Sequence, residues 1–188
     1  VEEILDRARL VASMGARAFS IVTAGRALER DSELTTVTRA IEAVRRELGL
    51  ECCASLGRIS ASTLRRLVDA GLQRYHHNLE AAPSFFTDVI GTYGIEESIE
   101  MIRLAHDSGL SVCSSGVFGM GESNDQRVEL IDLLRELPVD GVPINFLEPH
   151  EGTPLAGRPV IDPDEALRII AVHRLMMPRA DIIVAGSP

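Results

Sequence analysis

The sequence has no tryptophan, and aromatic residues make up only 4% of its 188 positions. A core must therefore come from Leu, Ile, Val and Ala. Positive charge is also short: 19 Lys and Arg stand against 28 Asp and Glu, for a formal net charge of −9. Phosphate backbones are bound through a surplus of Lys and Arg, so this balance argues against nucleic acid as a partner and against an anionic membrane surface. No apolar run approaches the ~20 residues of a membrane-spanning helix. The opening stretch VEEILDRARL is charged and helical in pattern rather than a leader. Cysteine is scarce. Cys52, Cys53 and Cys113 are odd in number and cannot close a disulfide framework. With no export signal this favours a reducing, cytoplasmic setting, where cysteine means metal, redox chemistry or core filling. The first residue is Val1 rather than Met and the last stretch, VAGSP, follows directly on an apolar run, so an internal piece of a longer protein is expected.

What the sequence does contain is an ordinary globular composition, 45% apolar and 25% charged, arranged in one repeating alternation. Helical period runs over Val1–Met14, closed by Gly15, then over Leu34–Leu48 with Leu34, Val37, Ile41, Val44 and Leu48 in one stripe, closed by Gly49. Further helices are predicted over Ser60–Ala70, Ile95–Ser108, Asn124–Leu137 and from Asp162 to Met177. Ser123 with Gln126, and Asp162 with Glu165, read as capping boxes. Between them lie strand-like runs: RAFSIVT, LECCASLG, LQRYHHNLE, LSVCSSGVFGMG, GVPINFLEP and DIIVAG. About six strands alternating with helices mean βαβ units and a parallel sheet. Polar residues gather at the C-terminal ends of several strands, where a parallel barrel builds its site. The predicted fold is therefore α/β, a (β/α)8 TIM-type barrel of which about six βα units are present, as a single domain over residues 1–188.

Candidate chemistry follows the strand ends. Strand alternation would put His76, Asn78 and Glu80 on one face and Tyr75, His77 and Leu79 on the other, so the two histidines do not converge on one metal. His106 and His173 fall on helices and are expected to be solvated. His76, Asn78 and Glu80 suit a neutral polar ligand such as a ribose or a urea, although a solvated strand end explains them as well. Asn145, at another strand end, could share a small ring with Asn78. Cys53 and Cys113 lie on alternate strands of a barrel and could touch one object, such as an iron–sulfur cluster, or serve simply as small buried hydrophobes. Cys52 faces the other way and reads as core. Gly116, Gly119 and Gly121 precede Glu122 and a capped helix, which allows either close ligand approach or a tight exit turn.

Taken together, FSIVTAGR, CASLG, RYHHNLE, VCSSGVFGMGE, PINFLEPHEGTPLAG and IIAVHRLMMP make the chain resemble the biotin synthase family of radical S-adenosylmethionine enzymes over nearly its whole length. The resemblance implies a barrel holding S-adenosylmethionine on a [4Fe–4S] cluster, a 5′-deoxyadenosyl radical that removes hydrogens from dethiobiotin, and an auxiliary iron–sulfur cluster that donates sulfur. It implies Asn78, Glu80, Gly119 and Glu122 as contacts of S-adenosylmethionine, and His76, Asn78 and Asn145 as contacts of dethiobiotin. It implies Cys53 and Cys113 as auxiliary-cluster ligands, and leaves His77 structural. It further implies an electron donor such as flavodoxin or ferredoxin, and a homodimer. Departures accompany the likeness. The C-x-x-x-C-x-x-C loop that holds the first cluster is not among these residues and is expected upstream of Val1, so this polypeptide alone is expected to be inactive. Ser20 stands where a third auxiliary-cluster cysteine is common, Ile183 where an arginine ligand is common, and Ser98 where an arginine for the methionine carboxylate is common. Besides sulfur insertion, two readings remain open: a sister radical enzyme such as a maturase of hydrogenase cofactors, and a non-catalytic remnant that binds a nucleoside or a partner.

Overall fold

The computed structural model describes residues 1–25, 27–28 and 30–185. The chain forms two compact units, Val1–His77 with Arg103–Val112, and Asn78–Ile102 with Cys113–Pro188.

The first unit runs α1 (Glu2–Ser13), β1 (Ala18–Val22), α2 (Asp31–Leu48), β2 (Glu51–Ser55), α3 (Ala61–Asp69) and β3 (Arg74–His76). Its strands pair in parallel, with Ser20 beside Cys53 and Cys53 beside Arg74. Of the stripe predicted for α2, Leu34, Val37, Ile41 and Val44 are buried, while Leu48 at the end of the helix is half-buried. Gly49 then stops the helix in the left-handed conformation, φ 65°, that a side chain would disfavour. The helix begins at Asp31, three residues before its first apolar position, because helix ends carry polar residues that periodicity does not register. Cys52 turns toward α2, with Sγ 3.8 Å from the Ile41 carbonyl, as expected of a core residue.

The second unit contains α4 (Pro83–Val89), β5 (Val117–Phe118), α6 (Asn124–Glu136), β6 (Gly141–Phe146), α7 (Pro163–Met176) and β7 (Asp181–Ala185). Two elements are shared between the units: α5 (Ile95–Asp107) and β4 (Ser111–Cys113). β6 is central, pairing in parallel with β7, with β5 and with Cys113 of β4. The α6 capping box forms as predicted: Gln126 N–H donates to Ser123 Oγ at 3.2 Å and Ser123 N–H to Gln126 Oε1 at 2.8 Å.

Several expectations change. At Asp162 the side chain accepts from Asp164 N–H, while Glu165 turns to Arg127 and Arg168, so the second capping box is a simple N-cap. The run LQRYHHNLE is strand only as far as His76, and LSVCSSGVFGMG divides into β4 and β5. α4 had no counterpart in the sequence pattern. His173 is fully buried rather than solvated, its ring edge-on to Phe118 at 5.2 Å and its Nδ1 2.7 Å from the Ile169 carbonyl. His106 is exposed, as expected.

Candidate functional site

The second unit brings Asn78, Glu80 and Asn145 together around one glycine. After β4 the chain passes through Ser114, Ser115 and Gly116 into β5. Leu79 N–H and Glu80 N–H both donate to the Ser115 carbonyl, at 2.8 and 3.1 Å, and Val117 N–H donates to the Glu80 carbonyl at 2.9 Å. Glu80 and Gly116 thereby form an isolated parallel bridge. The approach is too close for a side chain, since a Cβ on Gly116 would stand 2.6 Å from the Glu80 carbonyl oxygen. Opposite, β5 lies in register with β6, Val117 beside Asn145. Asn145 Nδ2 donates to the Pro143 carbonyl at 3.0 Å and, more weakly, to Gly116 at 3.4 Å.

Glu80 adopts φ 69°, the only positive φ at a non-glycine among the described residues. Strained residues of this kind gather at ligand sites. Its carboxyl is pushed above the usual carboxylate range by burial, against the hydrogen bond from Asn78 that favours the charged form. The shared-face argument for His76, Asn78 and Glu80 fails, because the strand ends at His76 and the bridge to Gly116 aims Glu80 instead. Two hydroxyls that sequence reasoning passed over also sit here: Ser114 and Ser115 are fully buried, and their Oγ atoms have no hydrogen-bond partner among the described residues. Orphaned buried hydroxyls are costly and mark places where a partner group belongs. In sequence, the only signal for them was the small-residue run before Gly116.

The Gly119–Glu122 turn is closed on itself. Gly119 N–H donates to both Glu122 carboxylate oxygens, at 2.9 and 3.1 Å, and Gly121 N–H to Oε2 at 3.1 Å. Arg127 Nε reaches Glu122 Oε1 at 2.9 Å, and its Nη1 pairs with Glu165. Gly119 and Gly121 need their positive φ values, 99° and 117°, for this wrap. Nearby, Met120, Leu147, His150 and Leu155 help line a cavity of about 420 Å³.

In the first unit, burial and neighbouring Arg74 hold His76 below the usual imidazole range. Burial and Arg58 lower His77 to about 4. Both rings are thus neutral at pH 7. Tyr75, just before them in the chain, is buried and donates its hydroxyl to the Gly57 carbonyl at 2.7 Å. Cys53 is buried beside Ser20, and burial raises the Cys52 thiol to about 11, so Cys52 stays protonated. No disulfide joins the three cysteines. In the second unit Cys113 is fully buried next to the orphaned serines. Among the described residues no group of three or more His, Cys, Asp or Glu side chains is placed to hold a metal ion. Ile183, which carries no ligand atom, lies in register beside Pro143. Ser98 is fully buried on α5.

Parallel strands linked by helices, with polar side chains meeting beyond the strand ends, define a barrel-type α/β enzyme scaffold. The match to the model of the Radical SAM superfamily over residues 1–134 makes this particular: the chain belongs to that superfamily. Residues 143–188 match the Biotin and Thiamin Synthesis associated domain. The chain is 50% identical over 185 residues to a biotin synthase of Anaeromyxobacter sp. (strain K), covering 98% of this chain and 51% of that protein. It is 49% identical over 186 residues to one of Geobacter sulfurreducens, covering 99% and 56%. It thus spans about half the length of these curated relatives. Among solved structures, methylornithine synthase superposes with a TM-score of 0.82 at 22% identity, covering 97% of this chain and 54% of that one. The FeFe-hydrogenase maturase of Carboxydothermus hydrogenoformans gives 0.82 at 19%, covering 100% and 46%. These likenesses bear out the predicted fold class, an incomplete (β/α) barrel. Among the described residues no helix is long and apolar enough to cross a membrane.

Proposed function

We propose that the protein of which this chain is part is a biotin synthase, inserting sulfur into dethiobiotin by radical chemistry. One observation carries the reading: the Asn78–Glu80 segment and Asn145 meet at Gly116, held there by backbone bridges that leave no room for a Cβ. A ureido ring presents a carbonyl and two N–H groups, and asparagine amides supply both complements. Asn145 spends its N–H donors on backbone carbonyls, which leaves Oδ1 to accept a ureido N–H. Glu80, tied to Asn78, would accept from the hydroxyls of an adenosyl ribose. The orphaned Ser114 and Ser115 hydroxyls, beside Cys113, fit a polar or sulfur-bearing group in place of the missing partner. Bound S-adenosylmethionine would supply the radical that removes substrate hydrogens. This chain's residues would seat the two ligands against one another, and His76 and His77, neutral at pH 7, would add polar contact or support without charge.

The auxiliary cluster is the weaker part of the fit. Cys53 and Cys113 would be two of its ligands, but Ser20 stands beside Cys53 and Ile183 offers no ligand atom. That ligand set favours a second reading within the same superfamily, a maturase-like enzyme. The full-length protein, reconstituted anaerobically with iron, sulfide and an electron donor such as flavodoxin or ferredoxin, decides between them. Biotin is expected from dethiobiotin. Asn145→Ala is expected to weaken dethiobiotin binding by about 1–3 kcal/mol, the cost of leaving a buried polar group unpaired. An unchanged affinity removes Asn145 from the site. Cys53→Ala is expected to lower iron per chain below wild type. Equal iron in the two proteins rejects the auxiliary cluster.

A further inference from the structure

A glycine-rich turn leading into a helix ordinarily binds phosphate, because its open N–H groups and the helix N-terminus all favour an anion. Here both glycine donors of the turn are already taken. Gly119 and Gly121 donate to the Glu122 carboxylate, and the capping box satisfies Ser123 and Gln126. The nearby guanidinium of Arg127 is taken as well, between Glu122 and Glu165. The Glu122 side chain is only 7% exposed, so its charge is fixed in place rather than dispersed in solvent. The guanidinium of Arg158 lies over Gly121, 2.5 Å from where a Cβ would stand.

We propose that Glu122 determines specificity: its carboxylate fills the anion cradle of the Gly119–Gly121 turn from within, so that the turn admits an uncharged or cationic nucleoside and rejects a phosphorylated one. This rests on the S-adenosylmethionine reading for its ligand, but not for its mechanism. Glu122 is then not a ligand contact, which replaces the role that the resemblance implied for it. A phosphate brought to the turn meets the buried Glu122 carboxylate, and the Gly119 and Gly121 amides are already engaged by it. S-Adenosylmethionine, with a sulfonium and no phosphate, meets no such repulsion.

The test is isothermal titration of the full-length reconstituted protein, as wild type, Glu122→Ala and Glu122→Gln, with S-adenosylmethionine, ATP and inorganic pyrophosphate. Wild type is expected to bind S-adenosylmethionine but neither phosphate compound. Glu122→Ala uncovers the amides beneath Arg158 and is expected to gain roughly tenfold or more in pyrophosphate and ATP affinity, as freed charge-assisted hydrogen bonds predict. If Glu122→Ala does not fold, as read by thermal melting, the near-isosteric Glu122→Gln must still show a gain of a few-fold, because it removes the charge. Equal pyrophosphate affinity in wild type and folded variants overturns the proposal. So does loss of S-adenosylmethionine binding in the variants without any gain for pyrophosphate, which would make Glu122 a direct contact. If wild type fails to bind S-adenosylmethionine while Glu122→Ala gains pyrophosphate, the cofactor reading falls and the filled cradle stands.

Discussion

Glu80 works against its own residue type twice. A left-handed φ of 69° costs an L-residue about 1–2 kcal/mol, and burial opposes the charge of its carboxyl. The sign of the second effect follows from linkage. The folded-state pKa lies above the unfolded value of 4.5, so folding takes up protons in that window. Stability from this group is full below 4.5 and is lost as pH rises through the raised folded value. Glu80→Gly removes both penalties, and the greater backbone freedom of glycine returns about 0.5–1 kcal/mol of the gain to the unfolded chain. A net stabilisation of about 0.5–1 kcal/mol is expected at pH 8, with a flatter pH profile, measured by urea unfolding at pH 4, 6 and 8. S-Adenosylmethionine binding is expected to weaken in the same variant. A less stable Glu80→Gly at pH 8 would show that the residue is not strained. Sequence revealed that Glu80 was polar at a strand end. It could not reveal the conformation, because that is imposed by Ser115, Gly116 and Val117, from a segment more than thirty residues away.

Elements were legible where their signals were local. The α2 stripe, the Gly49 stop and the Ser123–Gln126 box all lie within a few residues of what they control, and each appears as predicted. Two failures share one cause. α4 is seven residues long and has only Phe85 and Phe86 buried, too few for a stripe. The N–H and hydroxyl of Ser84, in its first turn, are held by Glu129 of α6, 45 positions on. Likewise QRYHHNLE alternates in pattern to its end, yet the strand stops at His76 because Leu79 and Glu80 turn to bond Ser115. Gly116 is the pivot of that arrangement. Gly116→Ala sets a methyl 2.6 Å from the Glu80 oxygen and 2.7 Å from Leu130 Cδ2, and the backbone oxygen cannot move aside as a side chain would. The substitution is expected to cost about 1–3 kcal/mol by overpacking and to break the Glu80 bridge. Faster amide exchange at Leu79, Glu80 and Val117, with unchanged exchange in α2, is the expected signature. Unchanged protection at those three amides would mean the bridge does not depend on a glycine.

At the scale of the molecule, the alternation of strands and helices carried the fold class. Strand edges govern how the isolated polypeptide behaves. In the pairings described, β1 joins β2 and β7 joins β6, so each has a side with no strand along it. Both strands carry exposed apolar side chains, Val22 at 70% and Val184 at 53%, and unpaired apolar edges template association. The net negative charge opposes this at long range, but its reach shrinks from about 30 Å in 0.01 M salt to about 3 Å in 1 M. The two effects predict a salt dependence opposite to that of an ion-paired interface. The 188-residue polypeptide is expected to sediment mainly as monomer in dilute buffer and to associate as salt rises. Val22→Lys with Val184→Lys places a charge on each edge and is expected to restore the monomer at high salt. Sedimentation velocity across that salt range checks both. Association that weakens with salt would assign the contact to ion pairs, and a monomer throughout would mean that neither edge is open to another chain.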